Sequence, residues 1–227
     1  MARLLTRYRV ISLAGMSGTP HAGLDHPARR SADAKLCLEF VNTVAWRNTA
    51  VPEERLPSAQ AVADWCAAAG LIGARERSRL AAALAEAPAA DALYRTALGF
   101  RDATYRLLRA RIDGKPGAAA DFAALNTVIA AMPRRQVLAP GPEGIGWHDA
   151  DRPASALDML APLVWSAADL LSGPRAERVK QCADPKGCGW LFLDESRTGT
   201  RRWCSMGDCG NRAKARRHYE RSRADAG

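Results

Sequence analysis

Four of the chain's six cysteines fall within a short C-terminal segment, at Cys182, Cys188, Cys204 and Cys209. They form two pairs, each spanning a turn that contains glycine and aspartate, and 15 residues separate the pairs. Two such pairs can approach a metal ion from opposite sides and complete the tetrahedron of thiolates that structural Zn²⁺ prefers. Disulfide pairing is the alternative, but no secretory context supports it. The spacing therefore predicts one Zn²⁺ held by these four residues.

This ligand set predicts a structural metal rather than a catalytic one. Four cysteines close the coordination shell, whereas a catalytic zinc keeps one position open for water or substrate. The chain also contains no Walker loop, no dinucleotide-binding glycine motif, no serine-hydrolase elbow and no zinc-protease motif. We therefore expect that the protein is not an enzyme.

A basic segment follows the last cysteine. Residues Gly210 to Arg223 predict a helix with Arg212, Arg216 and Arg223 on one face and Lys214, Arg217 and Arg221 on the opposite one. Cations on both sides of a helix suit the phosphates that line a groove of double-stranded DNA. A solvated terminus is the alternative. The candidate nucleic-acid contacts are Asn211 and Arg212, where the helix leaves the metal site, and, for phosphates, Lys214, Arg216, Arg217, Arg221, Arg201 and Arg202.

The positive charge is concentrated towards the ends of the chain. Among 227 residues, 33 are Lys or Arg and 24 are Asp or Glu, giving a formal net charge of +9. Residues 35–174 are neutral, while residues 175–227 hold 13 basic and seven acidic groups. This distribution favours a polyanionic partner at the C-terminal end. The chain has no apolar run long enough for a membrane span and no convincing secretion signal, so we expect a cytoplasmic protein without a membrane partner.

The intervening sequence predicts a mainly helical domain. A helix begins at Pro57-Ser58 and ends at Gly70, and others are predicted over Arg75–Ala87, Asp91–Ile112, Asp121–Met132 and Ala154–Ser172, the last kinked at Pro162. Residues Leu36–Val41 predict a short helix or strand, and Arg135–His148 predicts a small β-hairpin. Cys37 and Cys66, in apolar surroundings, are expected in the core.

The chain thus divides into three parts in this interpretation. Residues 1–34 are a disordered basic tail, residues 35–174 form the helical domain, and residues 175–227 form the zinc module. Within the module, Trp190–Leu193 and Arg201–Trp203 predict two short strands between the cysteine pairs, followed by the basic helix. The predicted fold class is mainly α with a small β-hairpin and a C-terminal treble-clef-like, four-cysteine zinc module.

Two stretches of the sequence resemble known modules. Cys204-Ser205-Met206 through Cys209-Gly210-Asn211-Arg212, with Arg202-Trp203 before it and the upstream Cys182 and Cys188, resembles the CGNR zinc-finger signature. Residues 36–43 and the Leu125-Asn126 pair resemble the ABATE domain that precedes this finger, with Glu39 where the family often has Asp. The resemblance implies a bacterial stress-induced transcription regulator. Its zinc module would bind double-stranded DNA. We expect the ABATE-like domain to sense a signal, form a homodimer, or both.

Two alternatives remain open from the sequence. Asn42 and Asn126 are candidate ligand-binding groups for a small-molecule effector, or they hydrogen-bond backbone groups at helix ends. The whole chain could also be a ligand-sensing or protein-interaction module whose zinc site is purely structural. In that case Asn211 and Arg212 would form hydrogen bonds within the module rather than to DNA.

Overall fold

The computed structural model describes residues 34–47, 49–132, 137–141, 144–148, 155–184 and 187–224. The prediction of a disordered tail over residues 1–34 lies outside the described residues, except for Ala34, which begins the first helix. No helix in these ranges combines the length and the apolar character needed to cross a membrane.

Helices dominate the described part of the chain, as predicted. They are α1 (Ala34–Val41), α2 (Ala59–Ala68), α3 (Ala74–Leu84), α4 (Ala87–Ile112), α5 (Ala119–Ala131), α6 (Ala161–Ser172) and α7 (Asn211–Ala224). Short antiparallel pairs join β1 (Val44–Ala45) to β2 (Glu53–Glu54), β3 (Val137–Gly141) to β4 (Gly144–His148), and β5 (Val179–Gln181) to β6 (Leu191–Leu193). The mainly α fold class and the β3–β4 hairpin are thereby confirmed.

Local signals explain where several helices begin and end. The Ser58 hydroxyl accepts a hydrogen bond from the Ala61 N–H (3.2 Å) and caps α2, while Gly70, with φ of 68°, follows its end.

The predicted kink at Pro162 is wrong. A 3₁₀ turn over Ala156–Leu160 precedes α6, so the proline occupies the first turn of a new helix, where its missing N–H costs no hydrogen bond.

The main core forms around α4, which packs against helices on several sides. Phe40 of α1 lies between Trp65 of α2 (ring centroids 5.2 Å apart) and Phe100 of α4 (6.1 Å). In α1 only Lys35 and Glu39 are exposed. This burial on nearly all sides explains why its sequence alone fits either a helix or a strand.

The same core extends into the C-terminal region. Val179 of β5 and Leu191 and Leu193 of β6 are at most 5% exposed and belong to the cluster formed by the helices. A second, smaller cluster contains Cys182, Cys188 and Cys209 with Trp203 and Ala213. The strand pair β5–β6 thus links the helical core to the cysteine cluster.

The pairing of that strand differs from the prediction. Leu191–Leu193 is a strand, but its partner is Val179–Gln181, and Arg201–Trp203 is not a strand. Arg201 is held by another contact, because its N–H donates to the Asp194 carboxylate (3.0 Å). This backbone N–H is therefore not available for a hydrogen bond to a neighbouring strand.

Candidate metal centre and basic helix

The four C-terminal cysteines bring their sulfur atoms together in one cluster. All four Sγ atoms lie within 4.8 Å of one another, and the pairs among Cys188, Cys204 and Cys209 are 3.5 to 3.6 Å apart. A tetrahedron with metal–sulfur bonds of about 2.3 Å has edges of roughly 3.8 Å, close to these separations. A disulfide needs about 2.05 Å between sulfurs, and all four cysteines are free. The geometry fits a four-thiolate metal site.

Packing four thiols this closely opposes their simultaneous ionisation. Hydrogen bonds from Cys188 and Cys204 lower the pKa of Cys182, because they stabilise its thiolate. The contact with Cys182 raises the pKa of Cys188 to about 12, and contacts with Cys182 and Cys188 raise the pKa of Cys204. A divalent cation would remove this conflict by binding all four as thiolates. The soft sulfur donors and their arrangement fit Zn²⁺.

The local sequence builds the two turns that carry the cysteines. At the first turn, the Cys182 N–H donates to the Trp190 carbonyl (2.9 Å), which extends the β5–β6 pairing up to the cluster. At the second turn, the Ser205 hydroxyl accepts from the Asp208 N–H (3.3 Å). Gly210 lies so close to Trp203 that a Cβ there would be 2.5 Å from the indole ring. Only glycine lets the chain pass this ring and enter α7.

A buried carboxylate fixes α7 against the cysteine cluster. Asp184, two residues after Cys182, is 2% exposed and accepts from Arg212 Nε (3.4 Å) and from both terminal nitrogens of Arg216 (3.2 Å each). Arg212 Nη2 also donates to the Cys209 sulfur (2.8 Å). The side chains of Arg212 and Arg216 thus make contacts within the module, although sequence analysis assigned them to DNA.

Two further predicted contacts, Asn211 and Arg201, also form hydrogen bonds within the module. The Asn211 amide donates to the Gly207 carbonyl (2.9 Å). Arg201 donates to the carbonyls of Trp203 and Cys204 and stacks on Phe192. Arg202 remains exposed, with its guanidinium 4.7 Å from the Trp203 ring centroid.

The remaining predicted contacts form an exposed basic edge, which we define as Lys214, Arg217 and Arg221. All three are exposed on the same side of α7, away from Asp184. Arg217 Nε donates to the backbone of its own helix at Ala213 (3.3 Å). Within the described ranges, Lys214 and Arg221 form no ion pair. This edge offers its charge to solvent or to a partner.

Asn42 has a structural role at the junction between the helices and the module. Its amide nitrogen donates to the Leu191 carbonyl (2.8 Å), and its amide oxygen accepts from the Leu191 N–H (2.9 Å). Asn126 is exposed on α5. Of the two interpretations left open for Asn42, these contacts favour hydrogen bonding to backbone groups, because the amide nitrogen and the amide oxygen both pair with the buried Leu191.

Replacing Asn42 by alanine is expected to destabilise the protein by about 2 kcal/mol, because two buried backbone groups lose their partner. Thermal unfolding of the zinc-loaded protein measures the loss, and Asn126→Ala serves as the matched control with a change within about 0.5 kcal/mol. Equal effects of the two substitutions would contradict the role given to Asn42.

Sequence reasoning missed the segment that contacts the cluster from the helical side. Trp46 has a left-handed backbone (φ of 57°), which is unusual for a bulky residue, and its ring lies 5.2 Å from the Arg212 guanidinium. The Arg47 N–H donates to the Cys188 carbonyl (3.4 Å). Asp184 was missed as well, since an aspartate in a short turn usually serves the turn itself.

Two family models match separate parts of the chain. Residues 34–174 match the ABATE family model, described as "Putative stress-induced transcription regulator". Residues 178–222 match the CGNR zinc finger. A search of curated proteins finds no match. The chain therefore belongs to the ABATE family and carries a CGNR zinc finger after its ABATE region.

Proposed function

We propose that this protein is a zinc-dependent DNA-binding transcription regulator. The observation that carries the proposal is the orientation of α7. Asp184 holds Arg212 and Arg216 against the cysteine cluster, which leaves the basic edge of Lys214, Arg217 and Arg221 facing outward. A helix fixed at one end by a metal site and charged along its free side is suited to phosphate contacts.

The dimensions of the helix support this use. α7 has 14 residues and is therefore about 21 Å long, enough to follow a DNA groove over several base pairs. The three residues of the basic edge recur at intervals of three and four, so they form one line along the helix. Arg202, exposed beside the same module, is a fourth candidate for a phosphate contact.

We further propose that Cys182, Cys188, Cys204 and Cys209 bind Zn²⁺ as a purely structural ion. A zinc ion bound there would link the two cysteine turns and would not take part in a reaction. All contacts to DNA would be made by side chains of the protein. The proposal assigns no catalytic activity to the chain. It places the protein in the cytoplasm with the chromosome, and gives the ABATE region a sensing or dimerising role.

The decisive experiment compares two triple variants with the same loss of charge. Lys214→Ala/Arg217→Ala/Arg221→Ala removes the basic edge, and Arg77→Ala/Arg79→Ala/Arg95→Ala removes three exposed arginines of α3 and α4. Duplexes selected from a random pool by the zinc-loaded protein provide the target. The affinity for DNA is measured as a function of salt concentration, and each phosphate contact contributes about −0.9 to the slope of log K against log salt concentration. We expect the slope of the first variant to be less steep by roughly 2 to 3, because three contacts are lost. The control should keep the slope of the unmodified protein.

A second function is favoured by the contacts of Asn211 and Arg212. Both form hydrogen bonds within the module, as expected if the zinc site only supports a ligand-sensing or protein-interaction surface. Under that function no duplex would be enriched, and both triple variants would bind DNA equally weakly. Either result would overturn the proposal of a DNA-binding regulator.

A further inference from the structure

A cavity of about 720 Å³ lies where the helical region meets the zinc module. Its walls come from the C-terminal end of α4, the loop after it, the start of α5, the end of α6 and strand β5. Leu107 and Val179, each 4% exposed, contribute to its floor. The volume and the apolar floor are in the range of sites that take small organic molecules.

One wall of the cavity is an aromatic side chain left partly open to solvent. Phe122 is 49% exposed, although it adjoins the buried Leu107. The loop passes over this ring at Gly117, where a Cβ would lie 2.8 Å from Phe122 and 2.5 Å from Leu107. The glycine allows the backbone to pack directly on both side chains. The Phe122 ring is therefore held in place by the loop and by Leu107, and it forms an apolar wall of the cavity.

The charges around the cavity favour an anion. Its lining contains Arg111, Lys115 and Lys180 against a single carboxylate, Glu177. Lys180 is already paired with Asp194 (2.6 Å), while Arg111 and Glu177 are 3.6 Å apart and both largely exposed. In the part of the chain that the structure describes, Lys115 makes no ion pair. A ligand carboxylate can thus reach Lys115 and Arg111 without displacing a short ion pair.

We propose that this cavity binds a small amphipathic carboxylate. Its apolar body would pack on Phe122 and on Leu171 of α6, and its carboxylate would accept hydrogen bonds from Lys115 and Arg111. The site goes beyond DNA binding and uses none of the residues of α7. Because β5 forms one wall and leads directly to Cys182, an occupant would contact both the helical region and the strand that positions the first cysteine.

The test uses two probes with the same carbon skeleton and opposite charge. Calorimetric titration of the zinc-loaded full-length protein with 4-phenylbutyrate should show saturable binding with one site per chain. The amine 4-phenylbutan-1-amine should bind at least tenfold more weakly, because its charge opposes the cationic rim. Equal binding of the two probes, or no saturable binding of the carboxylate, would overturn the proposal.

Matched variants locate the site. Lys115→Gln should weaken 4-phenylbutyrate binding roughly tenfold, as one charge-assisted hydrogen bond is lost, while Arg95→Gln on the exposed part of α4 should leave it unchanged. Phe122→Ala should weaken it about threefold to tenfold, and Val51→Ala, at an 80% exposed valine, should have no effect. A variant and its control with the same affinity would contradict the assignment.

Amide hydrogen exchange provides a readout that does not depend on DNA. Saturating 4-phenylbutyrate should slow exchange in β5 and at the C-terminal end of α4, and leave α7 unchanged. Protection confined to other elements would overturn the location of the site. Since neither measurement contains DNA, failure of this proposal and failure of the DNA-binding proposal remain distinguishable.

Discussion

Replacing Cys209 by serine is expected to abolish stoichiometric zinc binding and to unfold the C-terminal module. The Cys209 sulfur is 3.6 Å from those of Cys188 and Cys204, and the residue is 2% exposed. A serine hydroxyl is a poor ligand at neutral pH, and the site would keep three of its four thiolates. Structural zinc contributes on the order of 10 kcal/mol of apparent binding free energy, so losing a ligand should cost several kcal/mol.

The measurements are the zinc content per chain and the thermal unfolding curve. We expect one zinc per unmodified chain and close to none in Cys209→Ser. Cys66→Ala is the matched control, because Cys66 is fully buried in the helical core; it should retain zinc and lose about 1 kcal/mol of stability. Full zinc loading of Cys209→Ser would contradict the four-cysteine site.

Thiol alkylation checks the same conclusion independently. Burial raises the pKa of the Cys66 thiol to about 12, so this thiol stays protonated and unreactive at neutral pH in the folded protein. A chelator should therefore make the four C-terminal cysteines reactive while Cys66 stays protected. Mass spectrometry of peptides after iodoacetamide treatment identifies the labelled residues.

A second large effect is expected from Arg101→Met, which should destabilise the protein by roughly 3 kcal/mol. Arg101 is 2% exposed and its two terminal nitrogens donate to the Glu54 carboxylate at 2.7 Å each. It also donates to the Thr43 hydroxyl (3.2 Å). Methionine matches the volume but leaves Glu54 without its cation, the situation in which broken buried ion pairs cost most. Glu54 keeps some access to water, so we expect the lower end of that range.

Chemical unfolding measures this difference, and Arg95→Met provides the control on the same helix. Arg95 is 73% exposed and pairs with Asp91 at 3.7 Å, so its loss should change stability by less than about 0.5 kcal/mol. Arg101 supports the segment from Thr43 to Glu54 that carries Trp46 to the zinc module. We therefore expect Arg101→Met to retain zinc but to speed hydrogen exchange around Trp46. Comparable stability of the two variants would contradict this role.

The sequence was sufficient to predict features that depend on local pattern. The cysteine spacing led to the four sulfurs that the fold brings together, and capping and turn residues such as Ser58 and Gly70 placed helix boundaries within a few residues. Hydrophobic periodicity predicted α4, because its buried residues Leu93, Ala97, Phe100, Thr104 and Leu107 recur every three or four positions along the helix.

Features that depend on contacts between different elements could not be predicted from the sequence. Helical angles correctly separated Arg212 and Arg216 from the basic edge, but only the position of Asp184 shows which face meets the module. Asn42 pairs with Leu191, 149 residues away, and no local pattern indicates such a partner. The predicted strand at Arg201–Trp203 was wrong because Leu191–Leu193 pairs instead with Val179–Gln181 and the Asp194 carboxylate binds the Arg201 N–H.

The core that the zinc finger shares with the helical region affects whether the finger can be transferred to another protein on its own. If the finger were transferred without the helical region, Val179, Leu191 and Leu193 would lose their apolar neighbours. The Leu191 backbone would also lose Asn42. Recombination that moved this finger alone would create an aggregation-prone fragment, so selection should keep it in one reading frame with the helices that cover it.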